Sequence, residues 1–275
     1  MRDARSRLFV PETAGSTPGF NPADYGLAYS WWAARLESFS NGSAVPLAND
    51  YGQNNPLYPA GMPMEEISAG GGPTFIAGTD PNAANGQPLF RFASGKVMRA
   101  PLAGAPGASN PICMAVVARL SVIPASATIL LGGNQPTTGT GVTSIRQVTA
   151  TGSVSPFCGN GTTSASFVNG YTYAGWQVII MTFATAANGA GLDRDQLLIF
   201  KSGLTFGPPG SNYLQETMTF RAGATFNLTS PTTGCRWQAG GDVDIAESIL
   251  WYNGLTLAQR IDAGKKLADL YGIPY

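Results

Sequence analysis

The residues able to do chemistry in this chain are first limited by an absence. No histidine occurs anywhere in the 275 residues, so a Ser-His-Asp or Cys-His nucleophile, a histidine-ligated zinc and a histidine general base are excluded within it. Cys113, Cys158 and Cys235 are odd in number and far apart. That is neither a disulfide framework nor the close pairing of a zinc site, and buried free thiols are expected. What remains is carboxylate. Asp242, Asp244 and Glu247 sit in one short segment and form the best catalytic candidate. Asp193 and Asp195 flank Arg194 in a second acidic stretch, but two carboxylates give too few oxygens to specify a cation, and a solvated turn is expected. No metal site and no cofactor is assigned.

The carboxylates at 242 to 247 must be positioned by the segment that carries them. Residues 243 to 252 alternate β-branched, aromatic and polar side chains, as a strand buried on much of both faces would. Asn253-Gly254 breaks it, and Thr256-Leu257-Ala258-Gln259 has the form of a capping box, so a helix is expected over 256–271. Leu257, Ile261, Gly264, Ala268 and Tyr271 recur at helical spacing as one apolar stripe, with Arg260, Asp262, Lys265, Lys266 and Asp269 placed elsewhere on the surface. Gly272 and Pro274 should stop the helix.

This closing strand and helix resembles the end of concanavalin A-like (laminin G-like) jelly-roll domains. The opening is similar too, with Leu27 to Trp32, Asn49-Asp50-Tyr51-Gly52, Pro73-Thr74-Phe75 and the run Asn85 to Phe92. The resemblance covers roughly residues 25 to 275. It implies an all-β, concanavalin A-like antiparallel sandwich with one C-terminal helix, and such domains are common in phage virion proteins and bacterial surface proteins. The 242–247 segment also resembles the Glu-x-Asp-x-x-Glu motif of laminarinase-like glycoside hydrolases, in which paired carboxylates act as nucleophile and acid/base. Here Asp242 stands at the nucleophile position, and the strand is the closing one. Glu247 is therefore expected to be structural, hydrogen-bonded or at a sheet edge, with no catalytic residue and no enzymatic activity.

Composition agrees with one large β domain. Hydrophobic residues make up 44% of the chain and charged ones 12%, enough apolar material to fill a core. Lys+Arg and Asp+Glu are equal at 16, so no basic excess points to nucleic acid. No apolar run reaches the roughly 18 residues of a membrane span, and the start lacks the apolar core of a signal peptide. The 35 glycines and 20 prolines punctuate short strand signals at Leu89–Phe92, Lys96–Pro101, Ile112–Leu120, Ala127–Leu131, Val142–Thr149, Ser164–Val168, Trp176–Phe183, Gln196–Lys201, Met218–Phe226 and Cys235–Gln238. No helical segment separates them, which favours antiparallel sheets over βαβ units. Of the adjacent pair Trp31-Trp32, at least one ring should be core, because neighbouring side chains on a strand point oppositely.

Residues 1–24 are polar, rich in Pro and Gly and without period, and are expected to form an extended arm ahead of a 25–275 domain. Arg5, Arg7, Leu8 and Phe9 make a cationic and apolar hook for a partner. Taken with the resemblance, these features lead to the expectation of a structural accessory protein of a bacteriophage virion, assembled in the host cytoplasm and displayed as capsid decoration or head fibre, less so on the tail. It would bind other virion proteins, self-associate and contact a host surface glycan. The competing expectation is a carbohydrate-binding module or a laminarinase-like glycoside hydrolase.

Overall fold

The computed structural model describes residues 19–33, 39–48, 64–66, 72–93, 95–100, 112–120, 128–132, 142–147, 154–159, 164–165, 175–183, 196–201, 214–217, 235–238, 242–251 and 254–275. In chain order the strands are β1 Ala28–Trp32, β2 Leu47–Ala48, β3 Met64–Glu66, β4 Thr74–Ile76, β5 Leu89–Phe92, β6 Val97–Ala100, β7 Ile112–Leu120 and β8 Thr128–Gly132. They continue with β9 Val142–Gln147, β10 Val154–Gly159, β11 Ser164–Ala165, β12 Gly175–Phe183, β13 Gln196–Phe200, β14 Leu214–Thr217, β15 Cys235–Gln238 and β16 Val243–Trp251. One α-helix, α1 Leu257–Leu270, follows, and a 3-10 turn at Pro22–Tyr25 precedes β1.

The strands form two eight-stranded sheets, ordered β14-β13-β12-β7-β16-β5-β4, with β1 also on β16, and β11-β10-β9-β8-β15-β6-β3-β2. The expected all-β antiparallel sandwich closed by one C-terminal helix is what the chain forms. The last strand is inserted in the middle of the first sheet. One edge of β16 pairs with β7; the other pairs with β5 through Val243, Asp244 and Ile245 and with β1 through Glu247 to Trp251. That central place explains why all nine of its residues are buried.

Two apolar layers result. Between the sheets lie Met114, Val116 and Ala118 of β7, Ile179 and Met181 of β12 and Val243, Ile245 and Leu250 of β16, with Met64, Met98, Leu131 and Ile145 from the second sheet. On the other face of the first sheet, Cys113, Ala115, Val117, Val178, Ile180, Ile249 and Trp251 meet Ala263, Leu267, Ala268 and Tyr271 of the helix region. The side chains of β7 and β12 thus alternate between two cores. Trp31 belongs to the first and Trp32 packs against the second.

The capping box forms at the helix start: the Gln259 N–H donates to Thr256 Oγ1 at 3.3 Å and the Thr256 N–H to Gln259 Oε1 at 3.0 Å. At the other end Gly272 takes φ +59, the Gly272 N–H donates to the Asp269 carbonyl and the Ile273 N–H to that of Ala268. This is the Schellman arrangement that a glycine permits. Asn85 Nδ2 donates to the Leu270 carbonyl at 3.0 Å, so a neighbouring turn helps cap the same end.

The apolar stripe needs correction. The buried helix residues are Arg260, Ala263, Gly264, Leu267 and Ala268, while Leu257 and Ile261 are only half-buried. Arg260, placed on the surface by its charge, is fully buried. Gly264 is required by close approach, because a Cβ there would lie 2.0 Å from Cε2 of Phe200.

The arm expected over residues 1–24, with its hook of Arg5, Arg7, Leu8 and Phe9, lies outside the described residues as far as residue 18. From Phe20 onward the chain is on the domain. Phe20 packs against the helix-side core, Trp251 Nε1 donates to the Pro22 carbonyl at 2.9 Å, and the Tyr25 hydroxyl donates to Asp262 Oδ2 at 2.6 Å. Met218–Phe226 lies outside the described residues; β14 is found just before it. Val154–Gly159 is a strand that Pro156 and Gly159 disguised.

Candidate functional site

The acidic segment divides in two. In strict alternation Asp244 and Glu247 would point to opposite faces of β16. The register with β7 shifts between Ile245 and Glu247, and this bulge puts Glu247 on the helix side, where Ala246, Ile249 and Trp251 also pack. There Glu247 is 2% exposed. Ser30 Oγ donates to its Oε1 at 3.0 Å and the Tyr271 hydroxyl to its Oε2 at 3.2 Å. Burial first, then the Glu247 charge, pushes the Tyr271 hydroxyl well above its ordinary value, which keeps it protonated as a donor. Glu247 therefore ties β1, β16 and the helix end together under cover. Asp242 is exposed, so the two end carboxylates of the motif do not share a surface. Glu247 is hydrogen-bonded, as expected, but mid-sheet and away from any edge.

Asp244 marks the open site. Its Cα partner on β5 is Arg91 and on β7 is Arg119, so one carboxylate lies between two guanidinium groups on adjacent strands. Arg91 binds it with two donors, Nε to Oδ1 at 2.9 Å and Nη2 to Oδ2 at 3.2 Å, and Arg119 Nη2 lies 2.8 Å from Oδ2. The fork of Arg91 matches a carboxylate in a way lysine could not. The bond to Asp244 raises Arg91 above its ordinary value, so it stays charged.

A loop between β4 and β5 extends the network. Asp80 Oδ2 is 3.7 Å from Arg91 Nη1, and its carboxyl is held below the usual range chiefly by the Asn82 backbone N–H. Asn82 in turn accepts from Arg119 Nη1 through its side chain and from Trp176 Nε1, at 2.8 Å, through its carbonyl. The side chain of Asp244 is 4% exposed, but those of Arg91 and Arg119 are each 33% exposed.

Above this cluster opens a cleft of about 630 Å³ lined by Thr74, Arg91, Lys96, Arg119, Asp242 and Asp244, among others. It presents fixed N–H donors and carboxylate acceptors at the ends of β5, β7 and β16, with an exposed alanine, Ala93, at its margin. Such an array suits a ligand rich in hydroxyl groups, each both donor and acceptor. Among the described residues no group of three His, Cys, Asp or Glu side chains could hold a metal ion. Asp193 and Asp195 lie outside them. Cys113 is buried and free, and burial pushes its thiol up to about 11, which makes it a poor nucleophile.

Arg91 and Arg119 were not singled out from sequence. The signal was present: each is a lone cation in an otherwise apolar strand, Leu89-Phe90-Arg91-Phe92 and Ile112 to Leu120. A buried strand that carries a cation needs a counter-charge beside it.

No protein-family model and no curated protein matches the sequence. Among solved structures, an arabinofuranosidase complexed with arabinofuranosyl-α-1,2-xylobiose is similar at a TM-score of 0.56 and 11% identity, over 92% of this chain and 60% of that one. The binding domain of botulinum neurotoxin DC, in complex with rat synaptotagmin II, is similar at 0.51 and 9%, over 88% and 51%. Trypanosoma rangeli sialidase gives 0.49 and 12%, over 95% and 36%, too low a score to argue from. The chain thus spans between 36% and 60% of the length of these proteins. The likeness is one of β-sandwich fold. It corrects the expectation that the chain is not an enzyme: an arabinofuranosidase, a glycosidase, shares this fold, and the ground for excluding catalysis falls.

Proposed function

We propose that this chain is a carbohydrate-binding β-sandwich whose ligand lies in the cleft over Arg91, Asp244 and Arg119. The observation that carries this is the pre-formed cluster of two half-open guanidinium groups on one buried carboxylate, facing an open cleft. Donors that are already ordered lose little entropy on binding a sugar. The oligosaccharide held by the arabinofuranosidase of similar fold supports the same ligand class. A host surface glycan is one such ligand. Display on a phage particle rested on the resemblance, on residues 1–24 as an anchor and on the missing signal, unpaired cysteines and neutral charge; glycan binding, with the cleft and an oligosaccharide complex of similar fold behind it, takes first place.

The test is a glycan array with the purified chain, followed by calorimetry on the best oligosaccharide. Ala93→Trp should block the cleft and weaken binding by about tenfold or more. Binding unaffected by Ala93→Trp would exclude the cleft, and an array without hits would exclude the function. A reducing-sugar assay runs alongside: release of sugar that Asp242→Asn abolishes would make the cleft a catalytic centre as well.

A further inference from the structure

We infer that the cleft is one half of an extended groove, and that the groove selects an anionic oligosaccharide of at least two sugar units. This rests on the glycan-binding function proposed above and adds to it a second subsite and a charge preference. Next to the cleft is a second hollow, of about 370 Å³, lined by Ala83, Asn85, Trp176, Lys201, Gly272 and Pro274 among others. Gly175 lines both hollows, and a Cβ built on it would meet nothing within 4 Å. The two are therefore continuous over a glycine, where a larger side chain would project into the passage between them.

The second hollow has the parts of a sugar subsite. Trp176 is half-buried, and its indole is fixed by the Nε1 bond to the Asn82 carbonyl, the same residue whose side-chain oxygen holds Arg119. An aromatic face held in one orientation offers a platform for a pyranose ring at low entropic cost. Asn82 thus sets the spacing between the arginine cluster of the first hollow and the ring of the second.

Charge decides the ligand class. The side chains lining the two hollows include four cations, Arg91, Lys96, Arg119 and Lys201, and two carboxylates, Asp242 and Asp244. With Asp80 beside Arg91 counted as a third carboxylate, the described groups around the two hollows keep a surplus of one positive charge, on a chain whose formal net charge is zero. A groove with low-dielectric walls focuses such a surplus onto its ligand. Lys201 is half-buried in the second hollow, partly removed from water, so a carboxylate or sulfate beside it would bind more strongly than at an open surface. The first sugar then sits over Arg91 and Arg119, and the second stacks on Trp176 with its acidic group at Lys201.

Calorimetry with three tetrasaccharides tests this: tetragalacturonate, a heparin-derived tetrasaccharide and neutral cellotetraose. The acidic ligands should bind about tenfold or more tightly than the neutral one, and added salt should narrow the gap. In Lys201→Gln the ratio should fall towards one. Trp176→Ala should weaken the acidic ligands by about tenfold. Lys265→Gln, which removes a cation from the exposed face of α1, should leave the ratio as it is. Tetragalacturonate carries carboxylates alone and the heparin fragment carries sulfates in addition, and tighter binding of either than of cellotetraose satisfies the inference. Equal binding of acidic and neutral ligands, blocked by Ala93→Trp, would overturn the anionic groove and leave the glycan-binding cleft standing. An equal loss in Lys265→Gln and Lys201→Gln would overturn it as diffuse surface electrostatics. Binding of none of the three, with no array hit, would overturn both.

Discussion

Replacing Gly264 by alanine sets two effects of opposite sign against each other in one methyl group. An interior helical glycine is worse than alanine by about 1 kcal/mol, so propensity alone predicts stabilisation. Packing predicts the reverse. The added Cβ would lie 2.0, 2.4 and 2.8 Å from Cε2, Cζ and Cδ2 of Phe200, whereas carbon atoms settle at about 3.5–4.0 Å. The ring has little freedom to yield: Phe200 is fully buried, and Tyr275 packs against it edge-on at 5.6 Å between centroids. The helix must then move off β13 by more than an ångström, or the ring must leave its rotamer. Overpacking of this sort costs about 1–3 kcal/mol and occasionally more; an approach of 2.0 Å puts this case at the upper end, about 3 kcal/mol, so a net loss of about 2 kcal/mol is expected once the propensity gain is subtracted. For a domain of this size that is a fall of about 4–8 °C in the melting midpoint, read by circular dichroism. Phe200→Leu should lose packing alone but relieve the clash, so the double variant should be less destabilised than the two losses added. An unchanged or raised midpoint in Gly264→Ala, or strict additivity with Phe200→Leu, would refute the close-approach account.

Two further outcomes are expected from the same part of the molecule. Thr256→Ala removes both the hydroxyl that accepts from the Gln259 N–H and one half of the capping box, and should cost about 1 kcal/mol in urea denaturation; no shift in midpoint would remove the cap from the account. Tyr25→Phe tests a pH-dependent clasp. The Asp262 carboxyl is held below its ordinary 3.8 first by Lys266 and then by the Tyr25 hydroxyl, so it adds stability above its unfolded value that is lost as pH falls through the lowered one. The drop in melting midpoint between pH 7 and pH 3 should be smaller in Tyr25→Phe than in the parent, and equal drops would show that the hydroxyl does not bear on the titration.

Much of the scaffold was legible because local signals and tertiary position agreed. Ile112–Leu120 and Cys235–Gln238 are strands at the expected bounds, since apolar alternation bounded by Pro or Gly leaves few other conformations. Thr256 and Gln259 foretold the helix start because a capping box is satisfied within four residues. The helix face was misjudged by about one position. Two adjacent stripes share Gly264, Ala268 and Tyr271, and the charge of Arg260 argued for the wrong one. The layer between α1 and the first sheet accommodates that arginine entirely, close enough to Cys113 for its charge to act on the thiol. Local pattern carries no information about which side of a helix a second sheet face will cover.

The acidic motif shows the same limit in a form that bears on function. Asp242, Asp244 and Glu247 read alike in sequence, yet each has a different environment set by something distant: an open cleft end, two cross-strand arginines, and a tyrosine at the far end of the helix. One inserted residue in the β16 register, detectable only against β7, turns Glu247 to the face that also carries Asp244, and it is the cover of Ser30 and Tyr271 that shuts Glu247 away from the cleft. The charged site then follows from pairing. With Asp244 opposite Arg91 on one side and Arg119 on the other, the ends of β5, β7 and β16 carry a fixed ion triad. Its carboxylate is nearly fully buried between the two arginines, while their guanidinium side chains stay one-third exposed beside the cleft. The sequence feature that suggested catalysis thus supplies part of the framework of the cleft. Of the three motif carboxylates only Asp242 is exposed at the cleft, while Asp244 is held by the two cross-strand arginines and Glu247 by Ser30 and Tyr271, so a change at Asp242 alone should reach a ligand without loosening the sheet or the helix.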